Sequence, residues 1–372
     1  MAKTSRAPLV HVVKNDDMPS KKAWLIRGGA LLIALAICML FIYAVAGIGP
    51  DKALTEMING TFGQLGNATS MKIKCWDTAI YATKLLAIAV ALAPAFKMKF
   101  WNIGAEGQVL IGAVATAVVM HDFKDNYSAP MLYLAMFTAC IVAGGIWGLI
   151  PAVFKTKWGT NETLFTLMMN YIAMKIMDYF YNDWKGSNSS MDAINRTTQE
   201  GWLPNIFNHG YTINIIVFLV LAIGMFFYLK RTKHGYEIAV VGESQNTAKY
   251  AGIDVTKVIL RTMLISGAIC GLVGGLTVAG QSHTFTSSTT AGGYGFTAII
   301  VAWLAKFNTL AMIPIALLIM FLEKGTGQLA NLYPAMGTGA GDVLIGIVLF
   351  MVIGSEFFIN YRVIFNKSKE GE

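Results

Sequence analysis

Glu106 carries the chemistry that stands out in this chain. It lies five residues into a long apolar segment, with Asn102 before it and Gln108 after it. A carboxylate is costly in lipid and usually faces a bundle interior or a water-filled cavity. It could bind a solute, relay a proton, or lock two parts of a membrane protein together by hydrogen bonds. A plain structural network with Asn102 and Gln108 would also satisfy it. Glu323 and Lys324 lie side by side in another apolar run, with polar partners toward the outer face as the simplest account. Asn170 sits midway along a third segment, where a helix–helix hydrogen bond is its commoner use. Phe285, Tyr294, Phe296 and Trp303 gather near one Gly-rich stretch. Their rings could stack on a flat ligand, although aromatic residues in such segments more often fill the core or an interfacial belt.

Catalytic motifs are missing. There is no G-x-x-x-x-G-K-[ST] to cradle a nucleotide and no H-E-x-x-H to hold zinc. His11, His121, His209, His234 and His283 are scattered, four of them in tail or loop segments where solvent would hold them. No Ser/His/Asp grouping occurs. Cys38, Cys75, Cys140 and Cys270 form no C-x-x-C pair and read as small core residues, with no disulfide or metal implied. The sequence therefore points away from an enzyme.

The segments that position these residues are long and uncharged. The 372 residues are 55% apolar and only 13% charged, where a soluble domain carries about 25%. No charge occurs in 28–48, 211–229 or 262–305. Apolar runs of about 18 residues or more read as transmembrane helices. They are too long, and alternate too little, for a membrane β-barrel. The fold class is all-α, a polytopic membrane protein with about ten spans: 28–48, 77–96, 102–120, 130–153, 163–182, 211–229, 259–280, 292–305, 308–331 and 341–359. The first run exceeds a signal-peptide core of about 7–15 residues and is expected to be retained.

Charge orients these spans. With the N-terminus inside, 20 of the 29 Lys and Arg fall on the cytoplasmic side and 6 outside. That bias predicts both termini in the cytoplasm. It also explains the net charge of +8 without nucleic acid as a partner. Lys84, Lys175 and Lys324 fall within spans. The first two lie in outer halves, from which they could snorkel to the surface. The expected organisation is a cytoplasmic segment 1–27, a transmembrane permease domain 28–359 and a cytoplasmic tail 360–372. Two loops are large, 183–210 outside and 230–258 inside.

Two segments have polar, glycine-rich beginnings: Asn102-Ile103-Gly104-Ala105-Glu106-Gly107-Gln108, and Ala291-Gly292-Gly293-Tyr294-Gly295-Phe296-Thr297. The second is too short to span alone. Its lead-in, Ser282 to Thr290, must lie partly at membrane depth, where irregular backbone needs protein or water around it. The two segments are five crossings apart, an odd offset that makes 2–5 and 7–10 candidates for inverted repeats. Paired Gly-interrupted segments point to a transport pathway. By contrast, Gly144-Gly145 and Gly271 to Gly275 read as close helix packing.

In the inside loop, Ser244 can cap a short helix ending at Gly252. That helix would present Glu243, Lys249 and Tyr250 to a cytoplasmic partner. The loop, from Gly235 to Gly252, resembles the coupling segment of binding-protein-dependent ABC transporter permeases. Three further blocks share the likeness, in the order typical of that family: Asn102 to Gln108, Asn161-Glu162-Thr163-Leu164, and Gly293 to Thr297. The first resembles the nucleoside branch of the simple-sugar and nucleoside importers, with Trp101 where Phe is usual. Resemblance extends from about residue 77 to 355. It implies a permease subunit of an ATP-driven importer in the bacterial plasma (inner) membrane. The implied partners are a cytoplasmic P-loop ATPase, a second permease (sister or self), an extracytoplasmic substrate-binding protein, and membrane lipid. No cofactor is expected in this chain, because ATP and Mg would be bound by the ATPase. Asn102, Glu106, Gln108, Asn170, Tyr294 and Phe296 are candidates for the substrate pathway. Tyr236, Gly242, Glu243, Lys249, Tyr250 and Gly252 are candidates for ATPase coupling. A simple sugar or a flavin-like vitamin is the alternative cargo. An ion-coupled secondary transporter, with Glu106 as the coupling group, is the rival class.

Overall fold

Each predicted span contains a helix, and side chains of Asn161, Thr232, Ser244 and Asp254 cap four of the helix starts. The computed structural model describes residues 10–14, 18–64, 66–124, 127–207, 209–337 and 339–365. The expected cytoplasmic segment 1–27 and tail 360–372 lie in good part outside these residues. The helices are α1 (Ser20–Ala46), α2 (Pro50–Phe62), α3 (Ala68–Lys97), α4 (Ala105–Asp122), α5 (Ala129–Trp158), α6 (Glu162–Lys185), α7 (Thr212–Arg231), α8 (Lys233–Glu243), α9 (Gln245–Tyr250), α10 (Val255–Thr277), α11 (Tyr294–Leu304), α12 (Met312–Leu332) and α13 (Ala340–Asn360). α2 and α8 were not expected. α2 begins with Pro50 in its first turn, where a missing N–H costs nothing.

Among the described residues, seven helices are long and apolar enough to cross a membrane: α1, α3, α5, α7, α12, α13, and α10 with the turn that continues it to Ser282. The other predicted spans differ for visible reasons. α4 opens with Glu106 and Gln108, α6 carries Lys175, Asp178 and Asp183, and α11 has only 11 residues. The all-α expectation needs one addition. Strands β1 (Val10–Lys14) and β2 (Tyr361–Phe365) pair antiparallel, Val10 opposite Phe365 and Lys14 opposite Tyr361.

Contacts divide the chain into two units, the first made of residues 1–74 and 321–372 and the second of 75–320. In the first unit α1 packs along α13, with Arg27 Nε 2.7 Å from Glu356 Oε1. α2 lies against α12, where Gly60 approaches the Lys324 carbonyl and the Gln328 side chain.

The second unit is built on α4, α5 and α10. A Cβ on Gly271 would collide with the Cys140 carbonyl and the Gly144 Cα, and one on Gly274 with the Val109 carbonyl. Backbones meet here because the side chains are absent, the packing mode favoured where lipid supplies no hydrophobic drive. Cys140 and Cys270 are buried in this seam, whereas Cys75 is exposed and departs from the core reading. The outer loop 183–210 is tied down. Asn195 Nδ2 donates to the Met120 carbonyl at 2.7 Å, Tyr133 OH to the Trp202 carbonyl at 2.6 Å, and Ile194 N to the His283 carbonyl at 2.8 Å. Trp202 stacks on His283 with centroids 3.7 Å apart.

Overpacking the seam should be costly. Gly271→Leu is expected to destabilise the second unit by at least ~1–3 kcal/mol, read as a lowered unfolding midpoint in detergent. An unchanged midpoint would show that the seam can open to admit a side chain.

Candidate functional site

α4 begins in the middle of the second unit, so the N–H groups of its first turn have no water to meet. Neighbouring side chains replace it. Asn102 Oδ1 accepts from Gly104 N at 2.9 Å. Thr166 Oγ1, from α6, accepts from Ile103 N at 3.1 Å. Asn170, one turn further along α6, accepts from Gly107 N at 2.8 Å and donates to the Ile103 carbonyl at 2.9 Å. These contacts need the glycines. A Cβ on Gly107 would stand 2.9 Å from Asn170 Oδ1, and one on Gly104 would stand 3.1 Å from the Thr166 Cβ.

Glu106 is not part of that cluster. Its carboxylate reaches the start of α11. Oε1 accepts from Gly293 N at 2.8 Å, and Oε2 accepts from Gly295 N at 2.7 Å. Gly295 has no room for a Cβ beside the backbone of Glu106. Two helix N-termini thus meet at one buried carboxylate, and each end carries about half a positive charge. Lys84 of α3 adds a third cationic group, near enough to interact electrostatically with Glu106. Its Nζ donates to the Thr289 carbonyl at 3.4 Å and sits 5.2 Å from the Tyr294 ring centroid. Lys84 is fully buried, so it does not snorkel outward. Lys175, exposed and 3.0 Å from Asp178, stays at the surface.

The lead-in to α11 is irregular, as its composition predicts. Wide π-type turns occupy Val278–Ser282 and Ser287–Ala291. His283, Gly292 and Gly293 adopt left-handed backbone, with φ of 53°, 60° and 80°. Polar side chains from within the stretch bond its backbone: Thr286 Oγ1 accepts from Thr289 N at 3.0 Å, and Thr290 Oγ1 from Thr286 N at 3.2 Å.

Of the pathway candidates, Asn102, Glu106, Gln108, Asn170 and Tyr294 are buried. Gln108 Nε2 lies 3.4 Å from Asn102 Oδ1, and Gln108 Oε1 has no protein partner. Asn102 Nδ2 reaches Ser266 of α10 at 3.4 Å. Phe296 is 38% exposed and stands apart from the polar cluster. Phe285 is buried edge-on to Trp184, and Trp303 stacks on Trp101. Sequence reading missed Lys84, Thr166 and Ser266 as members. A lysine within a span was the available signal for Lys84. A Thr or Ser among apolar residues gave none.

The coupling candidates form a second surface. Thr232, Ser244 and Asp254 cap α8, α9 and α10 through the N–H groups of Gly235, Thr247 and Lys257. The Ser244-capped helix ends as expected, with Gly252 at φ 74°. Tyr236, Glu243, Lys249, Tyr250 and Gly252 are exposed. Gly242 is buried where a Cβ would strike the Lys97 carbonyl at the end of α3. Glu237 and Arg261 join α8 to α10 at 2.8 Å, and that guanidinium holds the Glu237 carboxyl below the usual glutamate range. A cavity of about 440 Å³ opens between Tyr236, Gly252, Lys257 and Arg261.

A multi-pass helical chain with a buried helix break and an exposed cytoplasmic-type helical loop defines a membrane transport subunit. Residues 76–353 match the family described as branched-chain amino acid transport system / permease component, and the chain belongs to that family. It is 30% identical over 332 residues to the guanosine ABC transporter permease protein NupP of Bacillus subtilis (strain 168), covering 88% of this chain and 92% of the relative. It is 27% identical to the glucose ABC transporter permease protein TsgB13 of Haloferax volcanii, over 94% of this chain and 92% of the relative. The nucleoside ABC transporter permease protein NupB of Lactococcus lactis subsp. cremoris is 26% identical over 66% of this chain and 70% of its own length. The chain is thus an integral membrane permease subunit of an ABC importer, and not an enzyme. Membership implies, in general terms, an ATPase partner and a substrate-binding protein.

Replacing Glu106 by Gln leaves one helix-end N–H facing an amide NH₂. The expected cost is ~1–3 kcal/mol for the unsatisfied donor, measured as a lowered unfolding midpoint. Glu106→Ala is expected to lower it further and abolish uptake. A variant with wild-type melting and full uptake would leave the carboxylate with no essential role. For the second surface, the sign follows from the lowered Glu237 value. The Glu237–Arg261 link is in force at neutral pH and is lost as pH falls through a value below the ordinary 4.5. Arg261→Gln should reduce hydrogen-exchange protection of the α8 amides roughly tenfold at neutral pH. Equal protection in the variant would mean that α8 is held by other contacts.

Proposed function

We propose that this chain forms the membrane pathway of a nucleoside importer, with both termini cytoplasmic and ATP hydrolysis supplied by a separate chain. The observation that carries the cargo is the likeness to the guanosine permease subunit, which extends over most of both chains. The Asn102 to Gln108 block, the part of the sequence that resembles the nucleoside branch, forms the buried node around Glu106. A sugar permease and a probable riboflavin import permease are also relatives, so a sugar or flavin-like cargo is the second reading.

The pathway is lined from around the node by Asn102, Glu106, Gln108, Asn170, Tyr294 and Phe296. Gln108 offers an unpaired amide oxygen, the kind of acceptor that a base or ribose donor needs. Glu106 works chiefly by holding the start of α11 in place. ATP and Mg are bound by a cytoplasmic P-loop ATPase that docks on Tyr236, Gly242, Glu243, Lys249, Tyr250 and Gly252. Closure of the ATPase pushes on α8 and α9. Gly242 transmits this push to the end of α3, and Arg261 transmits it to α10. Both helices lead to the node, α3 through Lys84 and α10 through the turns before α11. A second permease, sister or self, completes the pathway, and an extracytoplasmic binding protein delivers the cargo.

In cells expressing the complete transporter, labelled guanosine should accumulate and unlabelled nucleosides should compete. Competition by glucose or riboflavin alone would move the cargo to the second reading. Glu243→Arg is expected to reduce uptake at least tenfold while expression and ATPase activity persist. Normal uptake in that variant would remove Glu243 from the docking surface.

A further inference from the structure

A basic cavity lies where the inner ends of α3 and α7 meet the connection between α11 and α12. It is about 210 Å³ in volume, the space of roughly seven water molecules at ~30 Å³ each. Lys97, Lys230 and Lys306 line it together with Phe226, Phe307 and Thr309, and none of its lining residues is acidic. Three helix C-termini nearby would contribute about −0.5 charge each, against one positive charge on each of the three lysines.

Two features separate this cavity from a chance meeting of interfacial lysines. Thr309 is 1% exposed, and its hydroxyl has no protein partner. The backbone at Lys306 and Phe307 is left-handed, with φ of 49° and 60°, although neither is glycine. Such residues persist only where the surrounding structure over-determines them. Phe96 stacks on Phe307 with centroids 5.9 Å apart, and Phe307 N donates to the Ala302 carbonyl at 3.0 Å.

We propose that this cavity binds a phosphate group, and that its source is the headgroup of an anionic phospholipid in the cytoplasmic leaflet. The lysines supply the charge, and the Thr309 hydroxyl supplies a buried donor to a phosphate oxygen. What favours a lipid over free phosphate is the surface of α7 leading away from the cavity. Val220, Ile223 and Phe227 are exposed at helical spacing, and Lys230 follows on the same stripe. An acyl chain laid along that stripe puts its headgroup among the lysines. Basic pockets between membrane helices on the cytoplasmic side are a known way of holding such headgroups.

The test uses the purified full-length chain in nanodiscs of phosphatidylcholine, with or without phosphatidylglycerol. The expected result is retention of about one phosphatidylglycerol per chain through delipidation. A triple Lys97→Gln, Lys230→Gln, Lys306→Gln variant should bind it roughly 100-fold more weakly, at about 1 kcal/mol per lysine. The same three changes at Lys157, Lys233 and Lys257 should leave retention intact. Thr309→Val, which keeps the shape and removes only the hydroxyl, should weaken binding severalfold without altering the fold. Inorganic phosphate is titrated into pure phosphatidylcholine discs in parallel. Saturable phosphate binding there, with no preference for phosphatidylglycerol, would assign the cavity to a soluble anion and overturn the lipid source. Equal retention by the triple variant and wild type, with neither ligand affected by Thr309→Val, would overturn the site.

Discussion

A helix that starts inside a membrane protein must find acceptors for N–H groups that water would otherwise serve. That constraint governs the centre of this molecule. α4 and α11 both begin out of reach of bulk solvent, and their positive ends meet. One carboxylate, Glu106, lies in the first turn of α4 and accepts from two amides at the start of α11. Remove it, and two donors and two helix dipoles are left uncompensated in a low-dielectric setting. The surrounding polar residues complete the arrangement: Asn170 and Thr166 hold α4 from α6, and Lys84 reaches Thr289 in the irregular lead-in.

This node depends on close packing elsewhere in the same unit. α4, α5 and α10 approach so nearly that glycines occupy the contact points. A seam of that kind leaves little freedom in the spacing of the three helices. Hydrogen bonds of 2.7–2.9 Å at Glu106 and Asn170 require such placement, because a small shift would leave the same groups buried and unpaired. α10 belongs both to the seam and to the cytoplasmic surface. At its inner end Arg261 grips Glu237 of α8, and beyond its outer end the π-type turns lead into α11.

The inner surface combines rigid and exposed parts. Three successive side-chain caps, Thr232, Ser244 and Asp254, set the angles of α8, α9 and α10, so the loop is a folded element. Its aromatic residues point outward, with Tyr250 93% exposed. Tyr236 is likewise exposed, at 65%.

Much of this was legible in the residues. Long apolar runs with few charges marked ten segments, each of which contains a helix, and among the described residues seven helices are long and apolar enough to cross a membrane. Glycines beside polar residues marked both irregular helix starts, and Ser244 with Gly252 bounded the short cytoplasmic helix. Local chemistry dictates such features, and local sequence records them. The partners of Glu106 were not recorded. Sequence left open a solute, a proton, a network with Asn102 and Gln108, or a lock between two parts of the chain; the fold selects the lock and gives its oxygens to Gly293 and Gly295, almost two hundred residues away. Backbone N–H groups are identical at every position, so no sequence signal shows which one a carboxylate will meet. Lys84 was misjudged for a related reason. The depth of a lysine along a span is readable, but the side of the helix that faces protein depends on which neighbours pack there. Only the tertiary structure, through the glycine seam and the opposed helix ends, decided that Lys84 turns inward and that Glu106 joins two distant parts of the chain.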